Sequence, residues 1–227
     1  MGQLKTEEKS NEITAVPELL DTLDIGGSII AADAMSCQKA IVEKIREKGV
    51  DYVISLKGNQ PTLYKDTEAF FEDFAEFVQY KRTLEKDHGS IEKREYFLEP
   101  NIGWLANRME WSNLRAVGMV RSRVEEKGKV RTETRLYIAS VTDINTFANS
   151  VRGHWSIENQ LHWRLDVILR EDSSRARKDN SPLNMNILRK TALFFVNRTV
   201  IHRTSMRKKM FMAALDTNFL ELLLFHS

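Results

Sequence analysis

The opening stretch, to about Thr14, is polar and follows neither the helical nor the strand period, so it reads as a loop or a frayed arm. After Pro17, the residues Leu19, Leu20 and Leu23 fit a short helix, and Gly26 and Gly27 suit its stop and a turn. Ser28 to Ala32 is a short apolar run. Ser36 is placed to cap a helix over residues 37–48, with Ile41 and Ile45 on one face and Gly49 as its stop. A second apolar run, Tyr52 to Leu56, completes a strand–helix–strand unit whose spacing predicts two parallel strands. From Pro61 to Lys81 the residues Leu63, Phe70, Phe71, Phe74, Phe77 and Val78 fall at helical spacing. Between His88 and Ala139 the period shortens to alternation in IEKREYFL, AVGMVRSRV and TETRLYIAS, with a turn at Glu126 to Lys129. Helical spacing returns from Asn145 to about Arg170. A further helix is expected from Ser181-Pro182, as N-cap and first helical residue, to about His202, and the apolar stretch from about Met210 also reads as helix. The expected organisation is a first α/β part at 1–85, an antiparallel β insertion at 86–141 and a helical part at 142–227.

Composition narrows the class more than the function. The chain has 227 residues, 42% hydrophobic and 29% charged, which fits a packed globular protein rather than a disordered one. A formal net charge of +2 means that contact with nucleic acid must rest on local patches. Candidate patches are Arg121, Arg123, Lys127, Lys129, Arg131 and Arg135; Arg170, Arg175, Arg177 and Lys178; and Arg203, Arg207, Lys208 and Lys209. Each can equally be a solvated face. The single cysteine, Cys37, excludes an internal disulfide, and with no export signal or spanning segment legible, a cytoplasmic location and no membrane partner are expected.

Two carboxylates stand out. Asp33 closes the first strand, and the carboxyl ends of strands in open α/β sheets gather ligands and catalytic groups. The plain alternative is that Asp33 only starts the next helix as a cap. In HWSIENQLHWRLDV, steps of three and four residues join Phe147, Val151, His154, Glu158, Leu161, Leu165 and Leu169 into one stripe. Glu158 sits inside this apolar stripe, flanked by His154 and His162, with Asp166 at the edge. A carboxylate buried there must be protonated, paired or bound to a cation. Three arrangements satisfy that need: a Glu–His network that fastens the helix, a zinc site, or a magnesium site shared with Asp33. The zinc site is disfavoured because the histidines are two turns apart and no second ligand pair accompanies them. Two magnesium ions held by carboxylates serve phosphoryl transfer on nucleic acid.

The segments DAMSCQKAIVEKI, YVISLKGNQPTLY, DHGSIEKRE and HWSIENQLHWRLDVILREDSSRARKDN closely resemble the H-repeat-associated, DDE-type insertion-sequence transposases, over nearly the whole chain. The resemblance implies an α/β fold with a ribonuclease H-like core, a β-rich insertion and a helical C-terminal part. It implies magnesium-dependent cleavage and strand transfer of DNA during transposition, with transposon ends as the partner and a homodimer as an allowed assembly. By motif match Asp33 resembles the second acidic residue of the triad and Glu158 the third. His154 stands where related transposases often place an arginine one turn before the glutamate. Lys57, Asn59 and Gln60 fall in the LKGNQ motif, where they can touch DNA, and Arg170, Arg175, Arg177 and Lys178 follow the glutamate as a DNA-binding cluster. His88, Glu92 and Arg94 match an HGxIExR motif that carries no firm role.

In this family the first catalytic aspartate lies on a strand upstream of the segment that here reads GQLKTEEKSNEI. No apolar strand precedes Asp33, and Asp21 and Asp24 fall on or just after a short helix. The expectation is therefore an N-terminally truncated core lacking its opening strands and first aspartate. An exposed sheet edge, impaired metal binding and either weakened catalysis or a remnant that only binds DNA would follow.

Overall fold

The computed structural model describes residues 12–87, 90–126, 128–157, 161, 163–199 and 204–225. They form a mixed α/β protein. Helix α1 (Glu12–Thr22) precedes β1 (Ile29–Ala32), and α2 (Lys39–Glu47) joins it to β2 (Asp51–Leu56). Then follow α3 (Pro61–Phe74), β3 (Gln79–Asp87), β4 (Ser90–Glu99), β5 (Ala116–Glu126), β6 (Lys129–Ala139) and α4 (Ile144–Ile157). The chain divides into two compact units, Met1–Trp155 and Ser156–Ser227.

In the first unit β1 and β2 are parallel, pairing Ile29 with Asp51 through Ala32 with Ile54, as the strand–helix–strand spacing predicts. The sheet order is β1-β2-β6-β5-β4-β3. The alternating strands expected at 86–141 therefore continue the same sheet: β6 runs antiparallel to β2, with Val53 opposite Ala139 and Leu56 opposite Leu136. β1 ends the order, has a strand neighbour on one side only among the described residues, and is half-buried throughout.

Strand alternation sends side chains to two separate cores. On one face Tyr52, Ile54, Leu56, Phe97, Val117, Met119, Leu136 and Ile138 meet Ile41, Val42 and Ile45 of α2 and Leu63 and Phe71 of α3. On the other, Val53, Tyr96, Leu98, Val120, Tyr137 and Ala139 meet Phe147, Ala148, Val151 and Trp155 of α4.

Three local expectations change in this unit. Helix α1 begins before Pro17 rather than after it; the proline forgoes one helical hydrogen bond, and packing of Ile13, Val16 and Leu20 on the core offsets that loss. Ser36 does not cap α2. Asp33 caps a short 3₁₀ turn over Ala34–Ser36, and α2 starts behind Gln38. Helix α3 stops at Phe74 instead of reaching Lys81, because residues from Gln79 onward pair with β4 along nine positions. The helical stripe does not extend to Phe77, which is 81% exposed. Strand β3 escapes sequence reading because it is a polar edge strand, with Arg82 and Lys86 exposed and Lys81 and Glu85 engaged by α4.

The second unit contains α5 (Trp163–Val167), α6 (Ser181–Arg198), α7 (Met206–Leu215) and α8 (Thr217–Phe225). The helical pattern expected to run unbroken to Arg170 ends in turns after Val167, with Arg170 itself at a positive φ. The cap of α6 is Asn180 rather than Ser181. Val196, Phe219 and Leu223 form its small core with Met206, Met210 and Met212. Lys209 Nζ donates to the carbonyls of Thr199, at 2.5 Å, and Val196, satisfying the end of α6.

Gly118 is the tightest approach in the α4 core: a Cβ there would lie 2.4 Å from the ring of Phe147, which is fully buried. Gly118→Ala should destabilise the first unit by about 1–3 kcal/mol through overpacking, seen as a lower denaturant midpoint; an unchanged midpoint would show that the ring is not wedged against β5. Alkaline pH gives a second check. Burial pushes the Cys37 thiol and the Tyr137 phenol up to about 12, and raises Tyr52 as well. Folded protein keeps these protons when the unfolded chain has lost them, so their contribution is complete below the ordinary thiol value of 9.0. It is lost as pH rises toward about 12, at up to about 1.4 kcal/mol per pH unit for each group. Urea midpoints should fall steadily across that window; a flat profile would contradict the burial of these groups.

Candidate functional site

Asp33 follows the last residue of β1, exposed at the carboxyl end of a parallel strand. Its Oδ1 accepts hydrogen bonds from the backbone N–H of Met35 at 3.1 Å and of Ser36 at 3.4 Å, while Oδ2 takes no part in that cap. The reading of Asp33 as a cap is therefore borne out, with one oxygen fixing the turn in an exposed side chain.

The LKGNQ motif lies directly beside it. Lys57 is exposed beyond β2. Asn59 Nδ2 donates to the carbonyls of Ala34 (2.7 Å) and Cys37 (3.4 Å), and Gln60 Nε2 donates to the Cys37 carbonyl at 3.0 Å. These two amides thus hold the turn that follows Asp33, a role that pattern reading does not reveal because it pairs side chains with backbone groups over twenty residues away.

Helix α4 carries the chain toward Glu158. Its buried line runs through Phe147, Val151 and Trp155, leaving His154 half-buried at the margin; a step of four rather than three after Val151 would have found Trp155. The helix is tied to the sheet along its length. Gln79 accepts from the Ile144 N–H (3.1 Å) and donates to the Thr142 carbonyl (3.0 Å), Lys81 donates to Asn145 at 2.9 Å, and Glu85 pairs with Arg152. The HGxIExR motif supplies the last tie. Arg94, only 2% exposed, pairs with Glu92 at 2.5 Å and lies 4.4 Å from the centre of the Trp155 ring, which Arg135 also approaches at 4.6 Å. A buried guanidinium requires this combination of carboxylate and aromatic face. His88 of the same motif lies outside the described residues, as do Glu158 and His162.

In the second unit Arg170, Arg175, Arg177 and Lys178 are all exposed on the segment between α5 and α6. The chemistry of Asp33 fits a hard cation, since its carboxylate is exposed and one of its oxygens takes no part in the cap. Among the described residues no group of three His, Cys, Asp or Glu side chains is arranged for a metal, and no helix is long and apolar enough to cross a membrane.

The first unit is thus a mixed α/β sheet in which an exposed carboxylate follows a parallel strand, the place where open α/β sheets gather ligands. Residues 1–195 match the model of the transposase DDE domain, and the chain belongs to that family. It is 40% identical to the Escherichia coli K12 protein YbfL over 97% of this chain and 61% of that one. The same shares and identity hold for YhhI of that strain, named as a proposed H repeat-associated transposase. YncI of Escherichia coli O157:H7, named as a proposed transposase, is 38% identical over 97% of this chain and 59% of its own length. The chain thus spans about 61% of the length of the first two of these relatives. A solved sugar N-methyltransferase from Streptoalloteichus aligns with 56% of this chain and 48% of its own at 10% identity and a TM-score of 0.23, too low to bear on the fold.

The cap formed by Asp33 separates two substitutions. Asp33→Ala removes the cap and should cost about 0.5–2 kcal/mol, whereas Asp33→Asn retains an accepting oxygen and should cost less than half as much. Equal midpoints for both variants in urea denaturation would contradict the cap.

Proposed function

We propose that this chain carries part of the catalytic core of an insertion-sequence transposase, a ribonuclease H-like core that cleaves and joins DNA ends with magnesium. The observation that carries the reading is the exposed carboxylate of Asp33 at the end of β1, with one oxygen outside the cap, in a chain of the DDE family. Asp33 and Glu158 would hold the cation. When bound, magnesium supplies charge stabilisation at the attacking and leaving oxygens of a phosphodiester. The chain's own residues perform the rest. Asp33 keeps its carboxylate in place through its own cap, and Asn59 and Gln60 brace the turn behind it. Helix α4, tied to the sheet up to Trp155, delivers the chain three residues before Glu158, and His154 stands one turn before that glutamate. Lys57 and the cluster Arg170, Arg175, Arg177 and Lys178 neutralise DNA phosphates, a contribution that is salt-sensitive and independent of sequence. The reaction is in-line attack by water on a DNA phosphorus, which breaks its bond to the 3′ oxygen and frees a 3′ hydroxyl, and then attack by that hydroxyl on a second phosphorus, which displaces that strand's own 3′ oxygen. Assembly as a homodimer on transposon ends and a cytoplasmic location belong to the same reading.

Magnesium-dependent nicking or joining of labelled transposon-end DNA should disappear in Asp33→Asn and Glu158→Gln, with both variants still folded. Cleavage that survives both substitutions would overturn the assignment. Salt-dependent retention of DNA with no cleavage by the unaltered chain would identify it instead as a binding module.

A further inference from the structure

The cations of the 121–135 segment form one cluster in sequence but not in space. Residues paired directly across strands share a face, so the registers sort them. Arg82, Glu95, Arg121 and Thr134 form one row across β3, β4, β5 and β6; Leu84, Lys93, Arg123 and Thr132 form the next; Lys86, Ile91, Glu125 and Val130 form the third. These rows continue the face that closer to β2 packs on α2 and α3, but here nothing covers it among the described residues: Arg82, Lys86, Arg121, Arg123, Thr132 and Thr134 are exposed.

The opposite face of the same strands is different. There Arg94 is engaged by Glu92 and Trp155 and Arg135 by Glu133 and Trp155, while the exposed Lys129 and Arg131 share the face with Glu126 and Glu133. On the open face five cations meet only two carboxylates, and one of these, Glu95, is already held by Lys93 at 2.8 Å and by the Tyr80 hydroxyl at 3.0 Å. Arg121 lies over the Phe97 ring at 5.3 Å, a stacking that keeps its guanidinium on this surface.

We propose that this open face of β3–β6 is a docking surface for the phosphate backbone of duplex DNA, in addition to the residues assigned above. The proposal rests on the DNA-acting function of the chain. Arginines, lysines and threonine hydroxyls are the donors that contact phosphate oxygens. Four strands about 4.8 Å apart make a patch about 14 Å wide, broader than the roughly 12 Å major groove. The face therefore lies over the backbone instead of entering a groove to read bases.

The test is the affinity of the whole chain for a fluorescent duplex of about 30 base pairs, measured by anisotropy across a salt series. Arg121→Gln with Arg123→Gln should weaken binding about tenfold or more and lower the slope of log affinity against log salt by about 2. Lys129→Gln with Arg131→Gln makes the same charge change in the same hairpin on the opposite face, and should shift affinity by less than about twofold. Equal losses in the two pairs, or none in the first, would overturn the proposal. Because Arg121 also packs on Phe97, unfolding midpoints accompany each measurement. Thr132→Asp, at an exposed position in the same rows, should weaken binding without loss of fold, and unchanged binding there counts against the surface. Failure of the unaltered chain to bind any duplex would remove the functional reading as well, whereas binding that ignores Arg121, Arg123 and Thr132 removes this surface alone.

Discussion

The pairing of β2 on both its edges is the constraint on which the first unit depends. One edge is parallel to β1 and the other antiparallel to β6, and residues 52–56 are buried on both faces. That single strand converts a strand–helix–strand unit and a set of long hairpins into one sheet. Its alternation also allots the cores: Tyr52, Ile54 and Leu56 face α2 and α3, while Val53 faces α4. A slip of one residue would exchange these sets and destroy both cores together. Ser140 reinforces the register, donating to Asp51 at 2.8 Å and accepting from the Tyr52 N–H at 2.9 Å, so the end of β6 is pinned to the start of β2.

The functional groups follow from this arrangement. Asp33 lies where β1 ends because β1 is held in parallel register, and the turn after it is braced by Asn59 and Gln60 immediately beyond β2. Helix α4 lies on the face that Val53 begins and is tied successively by Gln79, Lys81, Glu85 and Arg94 from β3 and β4. The β strands that follow Asp33 in sequence thus serve as the support on which α4 rests.

Local periodicity made much of this legible. The parallel pair, the three alternating strands and the turn near Glu126 to Lys129 are readable because their patterns repeat over many residues. What escaped depends on distant partners. Strand β3 is polar enough to pass for the end of a helix until β4 pairs with it, and Arg94 looks like a surface charge until Trp155 covers it. Asn59 and Gln60 were read as DNA contacts from their motif, but their amides have hydrogen-bonding work within the fold that only the folded chain displays. The place of Asp33 after an apolar run marks it both as a candidate ligand and as a cap, and the fold bears out the cap.

Asp33 shapes its own loop with one oxygen, and in the proposed function the same carboxylate would share a cation with Glu158. Paramagnetic line broadening by manganese, used in place of magnesium and followed residue by residue in the isotope-labelled chain, tests that claim most directly. The account predicts that amides beside Asp33 and beside Glu158 broaden together at the lowest metal concentration, and that Asp33→Asn abolishes both effects while the sheet signals persist. Broadening that leaves these two segments unaffected, or that survives Asp33→Asn, would contradict it.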